Sequence, residues 1–482
     1  MGNRSQVTNN LFWRFMERCG AQGVTLVVSV VLARLLDPKV FGTTALVTVF
    51  TTIMMVFLDS GFSTALIQKK NADDIDFSTV FYFNIFMGLL LYAIMFFAAP
   101  YIARFYARPE LTAIVRVMSL TFIISSVKGV QQAYVSRHLL FKKFFWATLG
   151  GTIGAAVIGI TMAYLGYGVW ALVAQNLFNM FVDTVILWLT VKWRPIKAFS
   201  LHRLKTLFSF GWKLFVSALL DCGYGQLRAL IIGKMYSSED LAFYKKGDIF
   251  PSTIVNNINT SIDSVLLPVM SNEQDNKENV KNMTRRAIKV STYVMMPLMM
   301  GLAVCAKPLI SLILTDKWLP CVTFLRVFCF TYAFYPIHTA NLNAIKALGR
   351  SDLFLKLEII KKVVGLTAVL ITMWISVKAM AYSLLITSVL SQIINSWPNR
   401  KLLGYKYEQQ VMDMLPQIVI SVIMGAIVYS VSLLGLNNIL TLLIQVPIGA
   451  VIYIIGSKLM RIDSFDYCKN LVLNYLPKRH KN

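Results

Sequence analysis

Residues 11–34 read LFWRFMERCGAQGVTLVVSVVLAR, and residues 211–235 read GWKLFVSALLDCGYGQLRALIIGKM. Both stretches are apolar enough to enter a membrane, and both carry charge on one helical face. Arg14, Glu17 and Arg18 stand at spacings of three and four, and Gln22, Thr25 and Ser29 extend the stripe. Lys213, Ser217, Asp221, Tyr224 and Arg228 repeat the pattern in the second stretch. Residues at those spacings share a helix face. A charge at mid-membrane costs roughly 2.5–3.5 kcal/mol on insertion scales, so several on one helix are tolerable only where that face meets water or counter-charge. The pair predicts two helices lining a wet, charged cavity between two related halves of a membrane protein.

The whole chain agrees with that reading. It has 482 residues, 56% of them hydrophobic and 15% charged, with a mean hydropathy of +0.62, whereas soluble domains are about a quarter charged. Apolar stretches of spanning length run over 11–33, 40–63, 78–103, 111–135, 144–165, 169–191, 211–235, 241–268, 288–314, 320–347, 357–377, 379–397, 415–434 and 438–457. Each is near the ~20 residues a transmembrane helix needs. The expected fold class is therefore all-α, a polytopic membrane protein of about fourteen transmembrane helices. Twelve or thirteen stay open, because the second, fourth, eighth and tenth segments are polar for spanning helices.

Loop charge sets the orientation. With the N-terminus inside, the outer turns hold seven basic residues, Arg34, Lys39, Arg104, Arg108, Lys234, Lys317 and Lys378, while the inner loops and tails hold 28. That is the positive-inside asymmetry, and it places both termini in the cytoplasm. The formal net charge of +24 is then mostly loop charge beside anionic lipid and calls for no nucleic acid. The six cysteines show no metal-ligand spacing and read as packing residues.

The halves align at an offset near 200. Trp13-Arg14 matches Trp212-Lys213, Arg34 matches Lys234, and Asp37-Pro38 before the second helix matches Ser237 to Asp240 before the eighth. Asp suits an N-cap and Pro the first helical position. Thr44, Thr48, Thr51, Met55 and Asp59 share one face of the second helix; Lys245, Asp248, Ser252, Asn256, Asn259 and Asp263 share one face of the eighth. Six helices separate equivalents, so the repeats have one orientation and a pseudo-twofold axis along the membrane normal. The expected organisation is a six-helix lobe over 1–191, an amphipathic basic linker over 192–208 lying on the inner leaflet, a second six-helix lobe over 209–400, and a final helix pair with a basic tail over 401–482.

Enzymatic signatures are missing. The chain has no GxxxxGK[ST], HExxH or GxSxG. Asp74-Ile75-Asp76 superficially resembles a sugar-transferase DxD, but it sits in a short loop with no nucleotide fold around it. The predicted outer loops are short, which argues against a polymerase or ligase. No metal or cofactor is expected. What remains is the cavity. Arg14, Arg18, Lys213, Arg228, Lys245 and Arg326 are the candidate cargo-binding groups, with Lys246, Arg116 and Lys128 as additions. A cationic site favours anionic cargo, and the Arg fork suits phosphate. Glu17, Asp59, Asp221, Asp248 and Asp263 are candidates for orienting those cations, binding sugar hydroxyls or carrying coupling protons. Any one charge also has a structural reading as an ion pair or a snorkelling chain; their grouping on helices 1, 2, 7 and 8 carries the functional one. His338, alone among apolar and amide neighbours, reads as structural.

Ala33-Arg34-Leu35-Leu36-Asp37-Pro38-Lys39-Val40-Phe41-Gly42 resembles the ARLLxPxxFG signature of bacterial polysaccharide transporters, the Wzx-type lipid-linked oligosaccharide flippases of the MATE/MurJ-like (MOP) superfamily. Arg137 to Lys142, Gly166 to Val173, Leu267-Pro268-Val269 and Ala347 to Arg350 are similar to further marks of that family, in order, over about residues 10–350. The nearest subgroup is the colanic-acid or teichuronic-acid exporter type. The resemblance implies two six-helix lobes, alternating access, location in the inner membrane, and an undecaprenyl-pyrophosphate-linked oligosaccharide as cargo. It adds a polysaccharide polymerase and export machinery as further partners, besides membrane lipids. The last two helices are similar in number to those of MurJ, where the extra pair serves a lipid groove. The alternative reading is a MATE-like ion-coupled drug or small-molecule antiporter, which would prefer an acidic or aromatic cavity.

The topology is testable with single cysteines at His202, Lys277 and Asn470. All three are expected to label only from the cytoplasmic side, and labelling of any one from the outside would break the N-in, C-in arrangement.

Overall fold

The computed structural model describes residues 2–59, 62–69, 72–138 and 140–475. Within helices, the side chains of residues 2–12, 14–19, 59, 63, 64, 68, 209, 210, 213, 214 and 471–475 lie outside that description. The chain forms two units, Met1–Ala242 and Phe243–Asn482.

The first unit holds α1 (Gly2–Leu35), α2 (Pro38–Asp59), α3 (Phe62–Gln68), α4 (Asp74–Phe105), α5 (Leu111–Met118), α6 (Leu120–Arg137), α7 (Phe141–Tyr164), α8 (Val169–Thr190) and α9 (Leu201–Met235), then the first turn of α10 (Ser238–Asn272). Small residues set its spacing. Gly151, Ala155, Gly159 and Ala163 form a buried stripe on α7, which lies along α8. A Cβ on Gly151 would stand 2.9 Å from the Asn179 carbonyl, and one on Gly159 3.0 Å from Gln175 Cβ. Helices in lipid associate by close packing rather than by the hydrophobic effect, and small residues permit that approach. The tightest crossing lies at the signature glycine. A Cβ on Gly42 of α2 would fall 1.7 Å from the Ser238 carbonyl oxygen at the start of α10.

Pro100 sits inside α4. It has no N–H to offer the carbonyl four residues back, which belongs to Phe96. Arg116 of α5 supplies the donor, with Nε 3.3 Å from Phe96 O and the guanidinium 4.2 Å above the Phe96 ring.

The second unit continues α10 and adds α11 (Lys277–Val304), α12 (Ala306–Ile313), α13 (Cys321–Ala333), α14 (Tyr335–Ala347), α15 (Ser351–Thr372), α16 (Val377–Leu402), α17 (Tyr407–Val431), α18 (Asn438–Leu459) and α19 (Asp463–Tyr475). α11 is its hub, touching α13, α14 and α17. Polar pairs join the helices where water is excluded. Asn341 Nδ2 donates to Gln410 Oε1 at 2.9 Å, and Asn399 Nδ2 to Asn341 Oδ1 at 2.7 Å. Arg285 grips Asp413 through both Nε and Nη2, at 2.6 and 2.7 Å, and the Tyr405 hydroxyl donates to the same carboxylate at 2.8 Å.

Among the described residues, each of the fourteen expected stretches is mainly helical, the second shared between α2 and α3. The fourth breaks at Ser119 into α5 and α6, the ninth at Cys305 into α11 and α12, and the tenth at Phe334 into α13 and α14. Among the described residues, ten helices are long and apolar enough to cross a membrane, so the chain is an all-α, multi-pass membrane protein. Outside those ten, α1 supplies a shorter apolar stretch, Gly20–Leu35, among the described residues, and α10, α13–α14 and α15 carry more polar residues.

The connector differs from its expected form. Residues 191–200 are non-helical, and 201–208 are the first turns of the 35-residue α9, started by Ser200 as N-cap. Leu204 and Leu207 are buried with Phe62, Leu66 and Trp193. Their apolar face is covered by protein rather than by lipid. Ile196 N–H donates to Ser78 Oγ at 3.0 Å and Ser200 N–H to Thr79 Oγ1 at 3.1 Å, which fastens the connector to α4.

The glycine crossing gives a paired test. Gly42→Ala is expected to lower thermal stability in detergent by about 1–3 kcal/mol or more, since backbone must yield to the added methyl. Gly23→Ala, with nothing within 4 Å of the new Cβ, should gain about 0.5–1 kcal/mol from the better helix former. Equal melting temperatures for the two variants would refute the close-crossing account.

Candidate functional site

Arg14, Glu17, Arg18, Asp59 and Lys213 fall on α1, α2 and α9, and their side chains lie outside the described residues. The neighbouring Trp13 is described: it packs edge-on against Phe145 of α7, centroids 5.3 Å apart, with Lys142 Nζ 5.2 Å from its ring. On α9, Ser217 and Asp221 are exposed, as the spacing of four requires of a shared face. Arg228, two turns on, is half-buried, and its Nε is buried with no hydrogen-bond partner among the described residues.

In the second unit the expected stripe on α10 divides. Asp248 turns inward and accepts a 2.7 Å hydrogen bond from the Tyr332 hydroxyl of α13, and Asn259 Oδ1 accepts from Thr339 of α14 at 2.8 Å. Gly247 lets α10 approach α13, since a Cβ there would stand 2.8 Å from Leu325 N. Lys245 is half-buried, and Lys246 is buried with Nζ 5.5 Å from the Trp318 ring centre. Asn256, Asn257, Thr260, Ser261, Asp263 and Ser264 are exposed and form a polar band. At 3.6 residues per turn the six members of the expected stripe share a face about 80° wide, and Asp248 and Asn259 stand at one edge of it, the edge that meets α13 and α14.

Arg326 does for α11 what Arg116 does for α4. Its Nε donates to the Ala303 carbonyl at 3.1 Å, next to the break at Cys305. His338 shares a 3.2 Å hydrogen bond with Asn395 Nδ2 and stands edge-on to Tyr335, consistent with its structural reading.

Three charged groups went beyond the sequence reading. Lys128 of α6 pairs with Asp183 of α8 at 2.7 Å, with side chains 14% and 11% exposed. The second carboxylate oxygen, Asp183 Oδ1, is buried and has no hydrogen-bond partner among the described residues. Gly151 makes room for this pair, standing so close that its Cβ would meet Asp183 Cβ at 3.3 Å. The sequence signal was available: Asp183 is the one charge in the apolar stretch 169–191 and Lys128 lies within the stretch 111–135, and intramembrane charges seek partners. At the start of α4, Asp73 and Asp76 form a capping box, Lys69 pairs with Asp76 at 2.6 Å, and Trp193 Nε1 donates to Asp74 at 3.1 Å. Arg203 bonds Asp73, and its guanidinium draws that carboxyl down to about 2. The Asp74-Ile75-Asp76 run is thus a helix start tied to the connector. The third group is Arg285–Asp413, with Lys289 at 3.6 Å and Asp463 at 3.4 Å from Lys289.

The profile of the family described as "Polysaccharide biosynthesis protein" matches residues 31–323, more than half the chain. The teichuronic acid biosynthesis protein TuaB of Bacillus subtilis is 25% identical over 421 residues, covering 84% of this chain and 85% of that protein. The lipopolysaccharide biosynthesis protein WzxC of Escherichia coli is 21% identical over 447 residues, 89% of each. Among solved structures, the lipid II flippase MurJ in its inward closed conformation superposes with a TM-score of 0.72 at 16% identity, covering 95% of this chain and 99% of MurJ. An inward-facing multidrug resistance MATE transporter of the MOP superfamily gives 0.65 at 14% identity, covering 79% and 94%. The fold is that of the MurJ and MATE proteins.

Removing one member of the Lys128–Asp183 pair strands a charge in the protein interior. Asp183→Leu or Lys128→Met alone is expected to cost about 3–5 kcal/mol, and the double variant to recover most of it. Unfolding in detergent across the double-mutant cycle measures this. Additive losses would show that the two charges do not rely on each other.

Proposed function

The chain belongs to the polysaccharide biosynthesis protein family, and on that premise we propose that it carries an undecaprenyl-pyrophosphate-linked oligosaccharide unit from the cytoplasmic to the outer leaflet of the bacterial inner membrane by alternating access. The observation that carries this reading is the polar band of α10, with Asn256, Asn257, Thr260, Ser261, Asp263 and Ser264 exposed on one helix of a membrane chain. Such a surface is costly beside lipid and suits sugar hydroxyls. In this reading Arg14, Arg18, Lys213, Arg228, Lys245 and the free part of the Arg326 fork take the pyrophosphate. Glu17, Asp59, Asp221, Asp248 and Asp263 orient those cations or carry coupling protons. Arg228, with a buried and unpartnered Nε, is the best placed described cation. Polysaccharide polymerase and export machinery would act on the delivered unit.

The proposed architecture is fourteen spans with both termini inside: lobes over 1–191 and 209–400 related by a pseudo-twofold axis, the connector 192–208, and a final pair over 401–482. Element boundaries support the repeat. α1 and α9 end at Leu35 and Met235, and α2 and α10 start at Pro38 and Ser238, both at an offset of 200. The broken helices run from Leu111 to Arg137 and from Cys321 to Ala347, both at an offset of 210, which also relates Arg116 to Arg326. With no phosphate-cradling motif in the chain, the drive is an ion gradient or the membrane potential, worth about 2.3 kcal/mol per charge at 100 mV. Asp221 and Asp263 are the proposed proton sites.

The test is leaflet-specific detection of a fluorescent undecaprenyl-pyrophosphate disaccharide in vesicles holding the purified protein. Arg228→Ala should lower the initial rate about tenfold, the loss of a charge-assisted contact. Asp221→Asn with Asp263→Asn should remove the dependence on an imposed pH gradient. No protein-dependent flipping of any lipid-linked saccharide, with export of cationic dyes instead, would replace this function with the antiporter reading.

A further inference from the structure

A groove of about 580 Å³ lies where the end of α4 runs beside the end of α9, with lining residues that include Phe50, Tyr101, Phe105, Leu230, Ile231 and Lys234. Its wall is aromatic and aliphatic apart from one ammonium. Tyr101 is 71% exposed and Phe105 50%, so the groove opens outward. Its back is the α2–α9 seam, closed tightly enough that a Cβ on Gly233 would strike Leu46 Cδ2 at 2.1 Å. The groove is therefore a trough on the surface and not a passage through the unit.

Charge marks one end of it. Lys234 Nζ donates to the Phe105 carbonyl and stands 4.3 Å from the Phe105 ring centre. Arg104, next to Phe105 in the chain, is exposed, and Arg108 Nη1 is buried with no hydrogen-bond partner among the described residues. In the expected topology the outer side carries only seven basic residues; Lys234 lines this groove, and Arg104 and Arg108 lie within three residues of its Phe105 in the chain. The positive-inside bias gives no reason for cations there. A phosphate at headgroup depth does, since ammonium and guanidinium groups form their strongest contacts with such oxygens.

We propose that this trough holds the isoprenoid chain of a polyprenyl-phosphate lipid in the outer leaflet, with Lys234 exchanging the Phe105 carbonyl for the phosphate. The choice of an isoprenoid over an ordinary acyl chain rests on the transport reading above, which delivers a polyprenyl carrier to that leaflet. A chain held along α4 and α9 would keep the carrier beside the protein after the saccharide has crossed.

The experiment uses the full chain in vesicles of phosphatidylethanolamine and phosphatidylglycerol doped with undecaprenyl phosphate. A photoreactive benzoylphenylalanine replaces Leu230, and mass spectrometry identifies the lipid adducts. Undecaprenyl phosphate should be captured well above its share of the lipid. Lys234→Gln should reduce that adduct about tenfold, and Lys234→Arg should restore it. Adducts in proportion to bulk lipid, or an adduct indifferent to Lys234→Gln, would overturn the proposal. A second reporter at Tyr101 guards against one unproductive label position, and unchanged melting temperatures check that the variants are folded. The vesicle flipping assay is scored separately. Normal flipping with bulk-lipid adducts sinks the groove alone, and a specific adduct without flipping sinks the transport reading alone.

Discussion

A carbonyl or charge buried in hydrocarbon has no water to turn to, and each must be answered from within the protein. That constraint accounts for the placement of many polar side chains here. Pro100 frees the Phe96 carbonyl, and Arg116 reaches across from α5 to meet it. The break at Cys305 exposes the Ala303 carbonyl, and Arg326 meets that one. Lys128 and Asp183 neutralise each other between α6 and α8. Thr44, Thr48, Thr152 and Thr184 return their hydroxyls to carbonyls of their own helices, four residues back. The same constraint makes an unanswered group informative. Arg228 Nε, buried without a partner beside the exposed stripe of α9, is the clearest described case on the proposed cargo-binding helices.

Close approach is the second theme. With lipid as apolar as leucine, helix association depends on shape, and glycine supplies it at several crossings. Gly151 admits Asn179 and Asp183, Gly42 admits Ser238, Gly233 admits Leu46, and Gly247 admits α13. Gly42 closes the ARLLDPKVFG run and meets Ser238, four residues after Lys234, the counterpart of Arg34 at an offset of 200. The signature therefore has a packing reason as well as a family resemblance: its last residue must be small where α2 crosses the start of α10.

Helix positions were legible because they rest on local hydrophobic runs. The start of α2 at Pro38 and the end of α9 at Met235 fell where Asp37-Pro38 and Lys234 marked them. Breaks were missed. Pro336 is a local mark for the break at Phe334 that the hydrophobic run masked, whereas Ser119 lies inside an apolar run with no proline or glycine beside it. The connector was misjudged for a related reason. Leu204 and Leu207 form an amphipathic face in sequence, and only tertiary structure decides whether lipid or Phe62 and Trp193 cover it. Of the site, Ser217 and Asp221 are both exposed on α9, as a spacing of four implies for one helix face. Spacing alone could not see that Asp248 and Asn259 turn toward α13 and α14, or that Arg326 is half occupied with a helix break. Asp183 was overlooked because its partner lies on another helix, 55 residues away in the chain.

The hydroxyls and amides of α10 have a consequence for what the band can grip. Thr253, Asn257, Thr260 and Ser261 each donate to a carbonyl four residues back, and Ser264 to one three back. The hydroxyl protons are spent inside the helix, and of these five only Asn257 has a second N–H, so what faces outward is mostly lone pairs. A surface of that kind accepts hydrogen bonds from any hydroxyl-bearing cargo but imposes little directional pattern of its own. In the proposed transport role its contacts would be interchangeable, a track on which a saccharide could advance without falling into a deep well. Discrimination among glycans would then fall to whatever reads the cargo before loading, and the same α10 could serve a lineage whose surface sugars change.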